Sequence, residues 1–117
     1  MQFRFSFLLL FVLFACNPEE KLKKEIAGKW IISEAFRDDN VTDMLQNAYI
    51  QFETNNIMTT NILGNDSESK YTITAENITQ TDPPNIVFHI IEKSSSKLVL
   101  TSEFEGFSFK FVLAKSQ

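Results

Sequence analysis

The stretch from Phe107 to Lys115 alternates almost without a break. Phe107, Phe109, Phe111 and Leu113 share one parity, and Ser108, Lys110, Val112 and Ala114 share the other. Successive side chains of an extended strand point to opposite faces, so such a segment buries one face and wets the other. A parallel strand covered on both faces reads instead as one continuous apolar run. The alternation therefore predicts an antiparallel sheet with one dry side. A period of two recurs from this strand back to Gly28.

Clusters of Gly, Asn, Asp, Ser and Pro divide that region into eight predicted strands, over about 29–37, 48–53, 57–63, 70–74, 78–81, 86–91, 97–104 and 107–115. The first places Trp30, Ile32 and Phe36 on one face, and Asp38-Asp39-Asn40 breaks it. Val41 to Gln46 reads as one helical turn capped by Thr42. Neither residue of Pro83-Pro84 can donate a backbone N–H to a ladder, so that pair is a break as well. The short connections imply a meander. An open meander leaves two raw edges, which closure removes. The expected fold is all-β, an eight-stranded antiparallel up-and-down barrel with a short N-terminal helix.

That helix is expected over Pro18 to Ala27. Glu19 and Glu20 suit its first turn, Glu20 can pair with Lys24, Leu22 and Ile26 form one apolar stripe, and Gly28 ends it. Ahead of it runs an apolar segment, Phe5 to Ala15, with Arg4 before it. Its 11 residues fall short of the ~20 that cross a bilayer, and its length and flanks suit a signal peptide. The residues Leu13-Phe14-Ala15-Cys16 resemble the lipobox of bacterial lipoproteins, with Phe14 larger than the residue common at its position. The resemblance implies cleavage after Ala15, a diacylglycerol on the Cys16 thiol and acylation of the new amine. An ordinary cleaved signal peptide is the alternative. On the lipoprotein reading, residues 1–15 are the signal peptide, 16–27 the lipidated anchor, linker and helix, and 28–117 the barrel domain. The protein is then expected in the cell envelope, lipid-anchored to the outer membrane, with the leaflet left open.

Removing the first 15 of 117 residues leaves 102, enough for one domain. Loss of Arg4 leaves 10 basic and 15 acidic side chains, a net charge of −5. A mildly acidic domain lacks the electrostatic footprint of a nucleic-acid binder. Lys21, Lys23 and Lys24 stand among Glu19, Glu20 and Glu25 and make no basic patch. Cys16 is the only cysteine and His89 the only histidine, so no disulfide and no His/Cys metal site are expected. No nucleophile elbow, phosphate loop, His-Glu-x-x-His or Cys-pair motif occurs. The expectation is a non-enzyme without a cofactor.

Gly28-Lys29-Trp30, Tyr49-Ile50-Gln51-Phe52 with its Asn55-Asn56 turn, Tyr71-Thr72-Ile73, Asn77-Ile78, Lys97-Leu98-Val99-Leu100 and the Phe-rich last strand occur in that order between Gly28 and Lys115. This set resembles the lipocalin-like domain of small bacterial lipoproteins, whose first strand opens on Gly-x-Trp after a short helix. The resemblance implies a barrel closed at one end beside Trp30 and a lid after the first strand. The Thr-Asp-Tyr motif of larger lipocalins and the Arg that packs over their Trp are missing, as is the C-terminal helix. Lys110 and Lys115 are the candidates to cover Trp30 in place of that Arg.

The expected function is non-catalytic binding of a small apolar or amphipathic molecule, with the bilayer as second partner through the anchor. Trp30, Ile32, Phe52, Phe88, Phe109 and Phe111 are expected to line or fill the interior, and Val41, Met44, Leu45 and Tyr49 to form the lid and rim. Glu34 shares the parity of Trp30 and Ile32, so it would face a ligand if the strand is regular and water if a bulge intervenes. At eight strands the lumen can be filled or can hold one small ligand. The alternative is a solid barrel that binds an envelope protein or polysaccharide, or inhibits a partner, through its loops.

Overall fold

The computed structural model describes residues 17–116. Helix α1 (Pro18–Ile26) begins at Asn17, whose Oδ1 accepts the N–H groups of Glu19 and Glu20 at 2.9 and 3.4 Å. The cap satisfies orphan donors, Glu19 and Glu20 lie in the first turn, and Lys23 and Lys24 lie in the last, as the helix dipole favours. Leu22 and Ile26 are buried, the stripe that the sequence predicts. The helix ends at Ile26, and Gly28 takes φ 118° to turn the chain into the first strand.

Nine strands follow: β1 (Gly28–Arg37), β2 (Asn40–Val41), β3 (Tyr49–Phe52), β4 (Ile57–Thr60), β5 (Ser67–Thr74), β6 (Asn77–Gln80), β7 (Ile86–Lys93), β8 (Lys97–Phe104) and β9 (Phe107–Lys115). Sequential neighbours from β3 to β9 pair antiparallel, β1 pairs with β3, and β9 returns to β1. Eight strands thus close an up-and-down barrel. The ninth, β2, only extends the end of β1 through Phe36↔Val41 and Arg37↔Asn40. The ladder closes within residues 17–116, and the described core is drawn from the strands and helix of this segment.

Three local features depart from the sequence reading. Asp38 and Asp39 both take positive φ, 51° and 70°, so the chain reverses at once and Val41 pairs with β1. The expected turn starts one residue later, where Thr42 Oγ1 accepts from Met44 N–H at 3.3 Å and Gln46 N–H donates to Asp43 O at 3.2 Å. The third predicted strand stops at Thr60: Gly64 N–H donates to Asn61 O at 3.0 Å, and Asn61 Oδ1 accepts from Tyr49 N–H at 2.9 Å. Ladder β4–β5 then draws Ser67, Glu68 and Ser69 into β5, opposite Thr60, Thr59 and Met58. The other departure bears on the site. Between Ile32 and Glu34 the β1–β9 register shifts, a bulge that inverts the phase of β1. Ala35 is therefore buried, while Glu34 is exposed and Phe36 is only partly buried beneath Lys110. Neither Glu34 nor Phe36 continues the inward face of Trp30 and Ile32.

Much of the core lies in the half of the barrel nearest α1. Trp30, Ile32, Ile50, Phe52, Met58, Tyr71, Ile78, Leu98, Leu100 and Leu113 are fully buried there. Ala35, Ala48, Ile86, Phe88 and Phe111 continue the core toward the other end. The helix closes this end, and Trp30 Nε1 donates to Ile26 O at 2.8 Å. Lys115 Nζ lies 4.9 Å from the centre of the Trp30 ring, so Lys115, and not Lys110, covers the indole.

Candidate binding pocket at the open end

The connections β1–β3, β4–β5, β6–β7 and β8–β9 gather at the end opposite α1. Between them opens a basin of about 570 Å³, walled by Met44, Leu45, Ile62, Leu63, Phe104, Phe107 and Phe109, with Arg37, Asn47, Asn61 and Glu105 also at its margin. A narrower apolar throat of about 40 Å³ lies alongside it and shares Leu45, Ile62, Leu63, Phe104 and Phe109. Ile86, Phe88, Phe111 and Ser102 complete the throat. The lumen is therefore packed toward α1 and hollow toward the mouth, and a separate cleft of about 350 Å³ opens beside α1 among Ile26, Trp30, Lys93, Leu98 and Lys115.

The alternation of β9 builds one wall of this cavity. Phe109 and Phe111 stack with ring centres 5.9 Å apart and planes 6° from parallel, while Phe107 and Phe109 meet edge-on at 6.4 Å. Phe88 on β7 tilts against Phe111 at 6.4 Å. Offset and edge-on pairs are the favourable arrangements of aromatic rings, and they hold the wall in shape. Arg37 sits over Phe107, 4.8 Å from its ring centre. The mouth is also where apolar side chains reach water: Met44 is 83% exposed, Leu63 48% and Phe107 40%.

Of the residues predicted from sequence, Phe88, Phe109 and Phe111 come together in the throat, and Met44 and Leu45 stand at the mouth. Trp30, Ile32 and Phe52 lie in the packed half and touch neither the basin nor the throat, and Trp30 borders only the separate cleft beside α1. Val41 is exposed on β2, outside the basin lining. Tyr49 faces outward from β3, with Lys29 over its ring at 4.7 Å and its hydroxyl donating to Asp66 at 3.0 Å. Burial, that hydrogen bond and the Asp66 charge push the Tyr49 phenol above its ordinary pKa. Tyr49 and Glu34 are therefore not pocket residues.

Sequence reasoning missed Arg37, Ile62, Leu63 and Ser102. Ile62 and Leu63 were hidden inside an overlong strand, although Asn61 and Gly64 bracket them with turn chemistry. Ser102 shares the parity of Leu98 and Leu100, which was a readable sign that it faces inward. His89 projects from the exposed face of β7, with Nδ1 2.6 Å from Asn77 Oδ1. Among the described residues no group of three His, Cys, Asp or Glu side chains could hold a metal, and no helix is long and apolar enough to cross a membrane. Cys16, the expected lipidation site, lies outside the described residues.

No family model, curated protein or solved structure matches this chain.

Proposed function

We propose that this chain is a lipid-anchored protein of the bacterial cell envelope that binds a small apolar or amphipathic molecule without transforming it. The observation that carries the binding half is the division of the lumen, packed beside α1 and hollow among Phe88, Phe104, Phe109 and Phe111 at the mouth. A barrel built only as a rigid body has no need of a Phe-walled cavity of this kind. The volume of the basin falls within the ~300–1,000 Å³ usual for small-molecule sites. Burial of ligand surface against these walls would supply about 25 cal/mol per Å² before ordering costs. The envelope half of the reading rests on Leu13-Phe14-Ala15-Cys16 and the apolar run before it.

Native mass spectrometry tests the binding half. The chain from residue 16 onward, carrying Cys16→Ser and recovered from an envelope extract, should retain a discrete adduct that is lost on denaturation. Phe109→Trp, which crowds both basin and throat, should release that adduct at unchanged barrel stability. An adduct retained equally by the Phe109→Trp protein would sink the pocket assignment. A second reading, contact with an envelope partner through the loops, draws on the exposure of Val41 (67%) and Met44 (83%) in one connection. An adduct-free chain that retains a protein partner would favour it.

A further inference from the structure

The polar groups buried in this barrel are partnered almost throughout. Thr60 Oγ1 donates to Tyr49 O at 2.6 Å, Gln80 Nε2 to Pro84 O at 2.9 Å, and the Tyr71 hydroxyl to Glu53 O at 2.6 Å. Ser102 is different. The residue is 3% exposed, and its Oγ has no hydrogen-bond partner among the described residues. It alternates inward with Leu98 and Leu100 on β8 and lines the throat. Buried hydroxyls are nearly always partnered, because the lost hydration is otherwise uncompensated.

Water is a poor partner for this hydroxyl. A buried water commonly makes about two to four hydrogen bonds. The other side chains that line the throat, among them Leu45, Ile62, Phe88, Phe104 and Phe111, are all apolar and offer none. A charged ligand group fits no better, because the throat holds no side chain of opposite charge to offset its lost hydration. Arg37 and Glu105, the charged residues that line the basin, do not line the throat, and Asp39, Glu103 and Lys110 border a separate cleft on the other side of Ser102. What remains is one neutral group able to exchange a single hydrogen bond, on a molecule otherwise apolar where it meets these walls.

We infer that Ser102 Oγ anchors the ligand, and that the ligand is a neutral amphipathic molecule whose one hydroxyl or carbonyl enters the throat while its apolar body rests in the outer basin. This inference rests on the pocket reading proposed above. The dimensions agree with it: the throat, about 40 Å³, admits only a small head group, and the basin, about 570 Å³, accommodates a body many times larger.

Benzyl alcohol, toluene and benzoate are matched probes: neutral polar, apolar and anionic. Each would be titrated into the chain from residue 16 onward, carrying Cys16→Ser, with amide shifts followed by NMR. Benzyl alcohol and toluene should both perturb Phe88, Ser102 and Phe109, and benzoate should bind at least ~10-fold more weakly than benzyl alcohol. The ratio of the toluene Kd to the benzyl alcohol Kd should fall about 3- to 10-fold on Ser102→Ala, the value of one hydrogen bond. Without any probe, Ser102→Ala should unfold at an equal or higher urea concentration, since it removes a hydroxyl that has no partner. An unchanged ratio with both probes still bound would overturn the anchor and leave the pocket standing. A lower unfolding midpoint would overturn the anchor too, because the hydroxyl would then have a partner within the protein. Benzoate bound as tightly as benzyl alcohol would overturn the neutral class of ligand. No perturbation by any probe would overturn the pocket reading and the anchor together.

Discussion

Tyr71 shows how one buried group ties this barrel to pH. Its ring packs edge-on against Phe52 at 5.3 Å inside the filled half, and its hydroxyl reaches Glu53 O at 2.6 Å. Burial, and then the negative charge of Glu53, raise its pKa above the ordinary 10.0. Below pH 10 the phenol is protonated in the folded and the unfolded chain alike, and its contribution to stability is whole. Above pH 10 the unfolded chain releases the proton first, so stability falls as pH climbs toward the raised folded value. Tyr71→Phe should cost about 1 kcal/mol at pH 7, since it leaves the Glu53 carbonyl without that donor. It should also flatten the decline between pH 10 and 11. Urea unfolding at pH 7, 9, 10 and 11 measures both effects, and parallel pH slopes in the two proteins would show that the alkaline loss arises elsewhere.

At the scale of elements, α1 is held by more than its own propensity. Nine residues make a marginal helix in water, so it must be stabilised by what it covers. Ile26 is 1% exposed beneath the barrel, its carbonyl accepts from Trp30, and Glu25 pairs with Lys93 at 3.0 Å. Ile26→Ala should therefore destabilise the whole barrel by about 2–5 kcal/mol, read from urea unfolding, and leave probe binding at the opposite end intact. A loss under ~1 kcal/mol would make the helix a loose cover. Such elements were legible in the sequence because one pattern governs each: a single stripe in α1, and strict alternation in β9, whose bounds match the expectation. The site was legible only in part. Phe88, Phe109 and Phe111 lie on regular stretches of strand, Phe88 ahead of the register shift at Ile90–Glu92, and there parity gives direction. Glu34 lies past a bulge, and a one-residue register shift reverses every side chain after it. Ser67 and Glu68 look like turn residues, and only the partner strand β4 makes them a ladder. These features depend on pairing between distant segments, which no local period records.

For the whole molecule, the ends of the barrel are unlike, and the first described residues, from Asn17, lie at the closed one. Asn17 caps α1, and Glu19 Oε2 accepts from Ala75 N–H at 3.4 Å, in the turn between β5 and β6. The connections that shape the pocket all lie at the opposite end. Cys16 immediately precedes Asn17, so a lipid on Cys16, as proposed, would set the closed end toward the bilayer and turn the mouth away from it. Such an orientation suits exchange of a ligand with the aqueous phase or with a partner, since the membrane surface cannot then occlude the opening. Trp30 is the single tryptophan and stands at the closed end, which makes it a built-in reporter of orientation. With the lipidated protein in vesicles that carry spin-labelled headgroups, Trp30 fluorescence should be quenched. A Phe107→Trp reporter at the mouth, placed in a Trp30→Phe background, should keep its emission. Quenching depends on the anchor, so Cys16→Ser should abolish it for Trp30. Stronger quenching at position 107 than at Trp30 would mean that the mouth faces the lipid, and ligand would then be drawn from the bilayer itself.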